Sequence, residues 1–443
     1  MLYCRAVNST LSTPARRPSR FRSGRRLTVA ALSALAIGAA APTAASADAS
    51  LLPSPSSDIV LNWYDATSTA VDIAGYPAAG NTQIAASRTW AIAWGAADSA
   101  IKAAPAGLTP KGRDAYTRAA FATAVHDAVL YLIPAAKAAV NATLQKTLRP
   151  VPGSAAKTAG KVAGAKAAAA AVKARKGDGL DPAAINAPFT PPTPALGVWR
   201  PTPPAFAGAV QSGQGSAKPF IIKDVAAKFV APEPPAIDSP TEIADLQEVD
   251  ALGSAISATR TPQQTEVAKF WAQTSVNAFT QVLRTQITGA GRPIAERVHD
   301  VALFHEVTTD AQIAIYASKY KYLRWRPITA LRTDDGNPDT PYDPTFTSLI
   351  ATPAHPEYPS GHAGYAGAAE ATLAALFGAK PKAQFTITSS ALPGTYRNYD
   401  AWSTLTQENV DARVWSGIHL RSTDVTSVAF GKSIAAAALK EAS

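Results

Sequence analysis

Apolar residues recur at helical spacing through most of this chain, while strand signals are scarce, so its core must form between helices. The periodicity runs through Ala85–Ala103 and Ala119–Leu144, and it returns from Thr241 onward through Glu266–Gln286, Glu296–Thr329, Ser360–Gly378 and Ser422–Ala442. With 443 residues, 47% of them hydrophobic, the chain has ample volume for a large core. The expected fold is all-α, two packed helical bundles joined by a Pro-rich extended connection. We place the N-terminal bundle at 48–150 and the C-terminal bundle at 241–443. The crossover, 151–240, is expected in two parts. Residues 151–178 are rich in Ala, Lys and Gly without an aromatic, suiting a solvated helix or crossover with little core. The prolines at 191–192, 201, 203–204 and 232–235 then exclude regular helix.

The first 47 residues read as an export signal. Seven arginines and no acid occupy residues 1–26, an apolar run follows from Leu27 to Ala41, and Ala45-Ser46-Ala47 offers a small-residue cleavage pattern. Arg25-Arg26 makes the twin-arginine route as open as the general secretory one. No later run reaches the length of a membrane span, so the expected product is soluble and secreted or extracytoplasmic. Without those seven arginines, 35 basic residues face 32 acids, a net charge of +3, which gives no electrostatic footprint for nucleic acid. The same processing removes the only cysteine, Cys4, and the only methionine, Met1. Methionine is readily oxidised to a polar sulfoxide, so its exclusion suits a protein that makes oxidants, although drift toward alanine gives the same composition.

Three short segments carry the chemistry. Lys319 and Arg326 stand seven residues apart in a helical pattern running Tyr316–Arg332, a spacing that returns to nearly the same face and lets both cations converge on one anion. A solvated basic face with Lys321 and Arg324 is the ordinary alternative. In Pro359-Ser360-Gly361-His362, Ser360 is placed to cap a helix whose free N–H groups and dipole favour an anion. Gly361 allows close approach, and His362 has a basicity suited to proton transfer. Arg413 and His419 flank Gly417, with a break expected there and His419 entering from the start of the next helix. Three cations, a hydroxyl, backbone donors and two histidines together describe a pocket for a tetrahedral oxyanion.

These segments read K-x6-R-P, P-S-G-H and R-x5-H, and in that form the chain resembles the vanadium-dependent haloperoxidases and the related type 2 phosphatidic-acid/acid phosphatases. The wider block His355-Pro-Glu-Tyr-Pro-Ser-Gly-His362 and the helix around His126-Asp127 resemble exported bacterial haloperoxidase homologues. The resemblance implies vanadate as cofactor, with His419 as its axial ligand. Lys319, Arg326, Arg413, Ser360 and Gly361 would neutralise its oxygens, and His362 would be the acid–base residue. Lys319 is also implied in catalysis, and His355, seven before His362, in halide choice, favouring bromide. Hydrogen peroxide, halide and an organic acceptor would be the reactants, and a homodimer is one admissible assembly. One departure stands out. Many relatives place an aspartate four residues after the axial histidine, but here Asp424 is five after, so the carboxylate orienting His419 stays open among Asp300, Glu306, Asp310, Asp411 and Asp424.

Two other functions use the same residues. An exported acid phosphatase would form a phosphohistidine at His419, with His362 protonating the leaving group. An envelope binding protein that kept the pocket but lost catalysis is the third reading, disfavoured because every donor is retained. His305-Glu306 begins a zinc-protease pattern that lacks its second histidine, and His299, His305 and Glu306 do not share one helical face.

Overall fold

A computed structural model describes residues 58–75, 82–288 and 291–443. The expected export signal lies outside the described residues. Helices dominate. The first bundle comprises α1 (Ile59–Ile73), α2 (Gln83–Lys102), α3 (Pro110–Leu132), α4 (Lys137–Leu148) and α5 (Ala155–Ala174), and two single turns follow, α6 (Pro182–Ile185) and α7 (Val225–Lys228). The second bundle comprises α8 (Pro240–Gly253), α9 (Pro262–Phe270), α10 (Ser275–Ile287), α11 (Ile294–Tyr322), α12 (Pro327–Leu331), α13 (Gly361–Phe377), α14 (Trp402–Trp415) and α15 (Arg421–Ala442). One small addition to the all-α expectation is an antiparallel hairpin, β1 (Phe385–Thr388) and β2 (Tyr396–Tyr399), with Phe385 opposite Tyr399.

Local sequence sets many of these boundaries. Ser239 and Thr261 each place a side-chain oxygen on the third backbone N–H of their helix, with proline at the first helical position, and Thr261 completes a capping box with Gln264. A cap of this kind stabilises its helix by about 1 kcal/mol. The two bundles do not form separate cores. Trp90, Trp94 and Phe121 of the first share one buried cluster with Phe279, Phe304, Tyr365 and Leu405 of the second. Through this cluster runs α11, buried along most of its length and packed on α2, α13 and α15. The axis of the molecule therefore belongs to the helix that delivers Lys319.

Two sequence expectations need correction. Residues 151–178 do form a helix with a solvated side, one of the two readings, but they are not coreless: α5 packs flat against α3, because Gly160 and Gly164 leave room for the carbonyls of Tyr116 and Ala120, which an added Cβ would meet at 2.4 and 2.6 Å. Small-residue spacing of this kind permits close helix contact and looks like low complexity in sequence. Nor is the helical pattern Tyr316–Arg332 one continuous helix. The helix α11 ends at Tyr322, Leu323 adopts a left-handed conformation (φ 52°), and Arg326 is the extended residue that precedes α12.

Candidate anion site

The chain break after α11 decides how the first two cations meet. Lys319, in the last turn, sends its ammonium to the carbonyls of Pro356 and Glu357 at 2.8 and 3.0 Å. Arg326, freed from helical geometry, spreads its guanidinium over three partners: Nε donates to the His355 carbonyl (2.9 Å), Nη1 to the Ile418 carbonyl (2.8 Å), and Nη2 to His355 Nδ1 (3.0 Å). The seven-residue spacing brings both cations to one place through a turn rather than along one helical face. Both are fully buried.

Ser360 caps α13 as expected, accepting from the Ala363 N–H at 3.3 Å, and its own N–H donates to Ser427 Oγ on α15. Over Gly361 lies the ring of Tyr316, whose hydroxyl a Cβ there would meet at 3.1 Å, so the glycine leaves space that any other side chain would fill. His362 is half-buried and donates from Nε2 to the Gln273 carbonyl at 3.0 Å. A carbonyl only accepts, so the proton sits on Nε2 and Nδ1 keeps its lone pair. Gly417 takes the positive φ (79°) that the break between α14 and α15 requires, and His419 stands just before α15 rather than within it. Arg413, at the end of α14, donates from Nη1 to the Trp271 carbonyl at 3.0 Å, while its buried Nε has no partner among the described residues.

The carboxylate behind His419 is Glu357, which was not among the candidates named from sequence. Its Oε1 accepts from His419 Nδ1 at 2.8 Å and from the Leu420 N–H at 3.1 Å, and its Oε2 accepts from Thr423 Oγ at 2.9 Å. Asp424 comes only to 3.8 Å of His419. Of the other candidates, Asp300 pairs with Arg292, Asp411 with Arg421, and Asp310 accepts the N–H groups of Phe220, Ile221 and Ile222. Glu306 instead lies beside Gly95 in the first bundle. Glu357 stands inside the His355–His362 block, and an acid three residues before Ser360 was its only sequence signal. With Nδ1–H given to a carboxylate, His419 turns the lone pair of Nε2 toward Arg326 Nη1, 3.1 Å away. This fixes one tautomer by its two neighbours.

Electrostatics follow from burial. Desolvation lowers the basicity of His419 well below the ordinary imidazole range, with Arg326, Lys319 and Arg413 adding to the effect. His362 is lowered in the same direction by burial and then by Arg413. Burial lowers Arg326 and Arg413 to about 10, still protonated at neutral pH, and it also lowers Lys319. Burial pushes Glu357 upward against the pull of Arg326 and Lys319, and three donors hold it as a carboxylate. Burial drives Asp424 well above the usual carboxylate range and toward its neutral form, against the opposing pull of Ser360 and Arg413. Two buried guanidiniums and the Lys319 amine thus face one firmly held carboxylate, and a bound anion would offset the excess of positive charge.

Residues 300–443 match the family model of the VCPO second helical-bundle domain. Over that span the chain is similar to this domain. All the pocket residues named above lie within it, except that the carbonyls of Trp271 and Gln273 come from the α9–α10 turn. Beyond that domain, the whole architecture is shared with a solved bacterial vanadium-dependent iodoperoxidase (TM-score 0.70, 19% identity, covering 87% of this chain and 98% of that one). Two bacterial vanadium-dependent chloroperoxidase structures are also similar. The apo form has a TM-score of 0.62 at 16% identity, covering 80% of this chain and 92% of that one. The holo form has a TM-score of 0.59 at 18% identity, covering 86% and 92%. Among curated proteins, none matches.

Proposed function

We propose that the chain is a vanadate-dependent haloperoxidase that oxidises halide, bromide in preference to chloride, with hydrogen peroxide, and passes the resulting hypohalous equivalent to an organic acceptor. The observation that carries this reading is the buried excess of positive charge around a neutral His419 whose Nε2 lone pair faces the cations and whose Nδ1 is held by Glu357. The donor set fits a vanadate: an imidazole lone pair for the metal, and Lys319, Arg326, Arg413, Ser360 and the Gly361 backbone for its oxygens. When bound there, vanadate supplies a Lewis-acid centre at which peroxide becomes electrophilic toward halide without a change in metal oxidation state.

The protein's own residues do the rest. Glu357 keeps His419 in the tautomer able to ligate, as carboxylates behind metal-binding histidines do. His362, neutral with Nδ1 free, takes the proton that hydrogen peroxide gives up on binding. Lys319 and Arg326 are held by backbone carbonyls, so their charge is aimed before the reaction and needs little reorganisation during it. His355 holds Arg326 and packs edge-on against Tyr316 with centroids 5.5 Å apart, through which we assign it an indirect part in halide choice. We place the activity outside the cytoplasm, on the export signal expected at residues 1–47.

An acid phosphatase is the reading to beat, since the Glu357–His419 pair equally prepares Nε2 as a nucleophile toward phosphorus. The chain loaded with orthovanadate should brominate a dione dye in the presence of peroxide, with kcat/KM for bromide above that for chloride. Brisk hydrolysis of an aryl phosphate by fully loaded or vanadate-free protein, with no bromination, would transfer the site to the phosphatase reading.

A further inference from the structure

Charge along this chain is sharply segregated. Residues 102–176 contain 13 lysines and arginines and only two acids, Asp114 and Asp127, for a net charge of +11. The rest of the chain beyond residue 47 holds 22 basic and 30 acidic residues, a net charge of −8. A modest overall charge therefore conceals a strongly basic pole. Both acids of that pole are already engaged, Asp114 with Arg118 and Asp127 with His126.

The fold gathers this charge on one layer. With Gly160, Gly164 and Ala168 turned into α3, the outward side of α5 presents Lys161, Lys166, Lys173 and, just past its end, Lys176, all exposed. Lys157 bonds to the carbonyls of Leu148 and Val151, which ties the end of α4 to the first turn of α5 and brings exposed Lys146 and Arg149 alongside. Among the described residues, none of these six exposed cations is paired with an acid. Elsewhere on the surface, Arg284, Arg397 and Arg421 each bridge a carboxylate. Lys161 to Lys176 span about 20 Å at the helical rise.

We propose that this α4–α5 face binds an extended polycarboxylate chain, such as an acidic polysaccharide, and so tethers the protein to it. Point charges on flexible stems, spread over this length, cannot converge on one small anion. They do match a line of anions, from which binding releases counterions. The face offers only alanines and the single exposed Val162 between its lysines, and residues 151–178 contain no aromatic. It therefore lacks the large apolar residues that anchor a surface helix in lipid and the rings on which nucleic-acid bases stack. The charge left unpaired on α5 repels itself, so a bound polyanion should also stabilise the fold.

The test uses the chain from residue 48 onward and polygalacturonate as the probe. At low salt the wild type should be retained on immobilised polygalacturonate, and its melting temperature should rise with the soluble polymer. The variant K161Q/K166Q/K173Q/K176Q keeps good helix formers and should flow through. Its plot of log affinity against log salt should be flatter by about 3, at roughly 0.7–0.9 per lost cation. A control with the same charge change elsewhere, K228Q/K380Q/K382Q/K440Q, should bind like the wild type, and circular dichroism should show all three equally helical. Equal weakening of both variants would reduce the effect to net charge and overturn the assignment. So would a wild type that ignores polygalacturonate yet binds anionic vesicles or duplex DNA. Halide oxidation by the α5 variant should be unchanged, which separates this result from the reading of the anion site.

Discussion

One helix, α11, carries a buried histidine near its middle and a buried lysine in its last turn, and their surroundings differ in kind. His305 lies against Trp90, the rings 4.9 Å apart and 13° from parallel, and neither ring nitrogen has a partner among the described residues. Burial alone draws its basicity down to about 3. Around Lys319, burial also lowers His419, but there Arg326, Lys319 and Arg413 join it, and both ring nitrogens are engaged. A depressed imidazole is thus no mark of a site by itself. What separates the two regions is whether the neighbours give each nitrogen a defined task.

If that distinction is right, the pocket should be sensitive to loss of a nitrogen in a way the core is not. His419→Ala removes the imidazole lone pair assigned to the metal. Vanadate should no longer be retained through gel filtration, and bromide oxidation should fall by about 10⁴-fold or more. Retention of stoichiometric vanadium by this variant, measured by elemental analysis, would show that the axial position has been misassigned.

His362→Ala should show the opposite split, with turnover falling by about 10³-fold while vanadate affinity changes only a few-fold. The pH profile adds a direction. Burial first, and Arg413 second, hold His362 below its ordinary range, so the proton-accepting form persists below pH 6.5 and the acid limb of turnover should lie there. Arg413→Gln removes the largest of the charges that lower it and should move that limb to higher pH. A limb that stays in place would mean that another group carries the proton.

The uneven legibility of the sequence has the same physical origin. Ser360, Gly361 and His362 could be read because a capped helix start is local: three consecutive residues carry the geometry. Lys319 with Arg326 and Arg413 with His419 could be paired because each pair spans only one break. Glu357 could not be read, since its role depends on a contact 62 residues away with His419, and nothing in its own neighbourhood sets it apart from a loop acid. The left-handed Leu323 was equally hidden, because a bulky residue rarely adopts that conformation and only tertiary packing imposes it. The alanines and glycines of α5 looked coreless because their contribution is closeness rather than apolar area.

Glu357 and Asp424 make the next comparison, two buried acids near one imidazole. Glu357→Gln should weaken vanadate retention by about 10- to 100-fold, because the amide no longer fixes His419 with Nδ1 protonated. Asp424→Asn should cost less, since its carboxyl is 3.8 Å away and already driven toward the neutral form. The reverse ranking, read from vanadate titrations of both variants, would restore Asp424 as the orienting residue.

The smallest effect on activity is expected at His305, where the readout is stability instead. A folded-state value near 3 against an unfolded value near 6.5 means that the unfolded chain gains a proton first as pH falls. The contribution of neutral His305 is fully present above about pH 6.5 and is lost progressively toward pH 3, at about 1 kcal/mol per pH unit. His305→Phe keeps an aromatic ring beside Trp90 and removes the titration. Relative to wild type, the variant should therefore gain about 1.5 kcal/mol in denaturant unfolding between pH 6.5 and pH 5, whatever fixed packing cost it carries. Its bromide oxidation should match the wild type. Parallel stability curves would show that His305 is hydrated or paired in solution, and a loss of bromide oxidation would join the two ends of α11 into one functional unit.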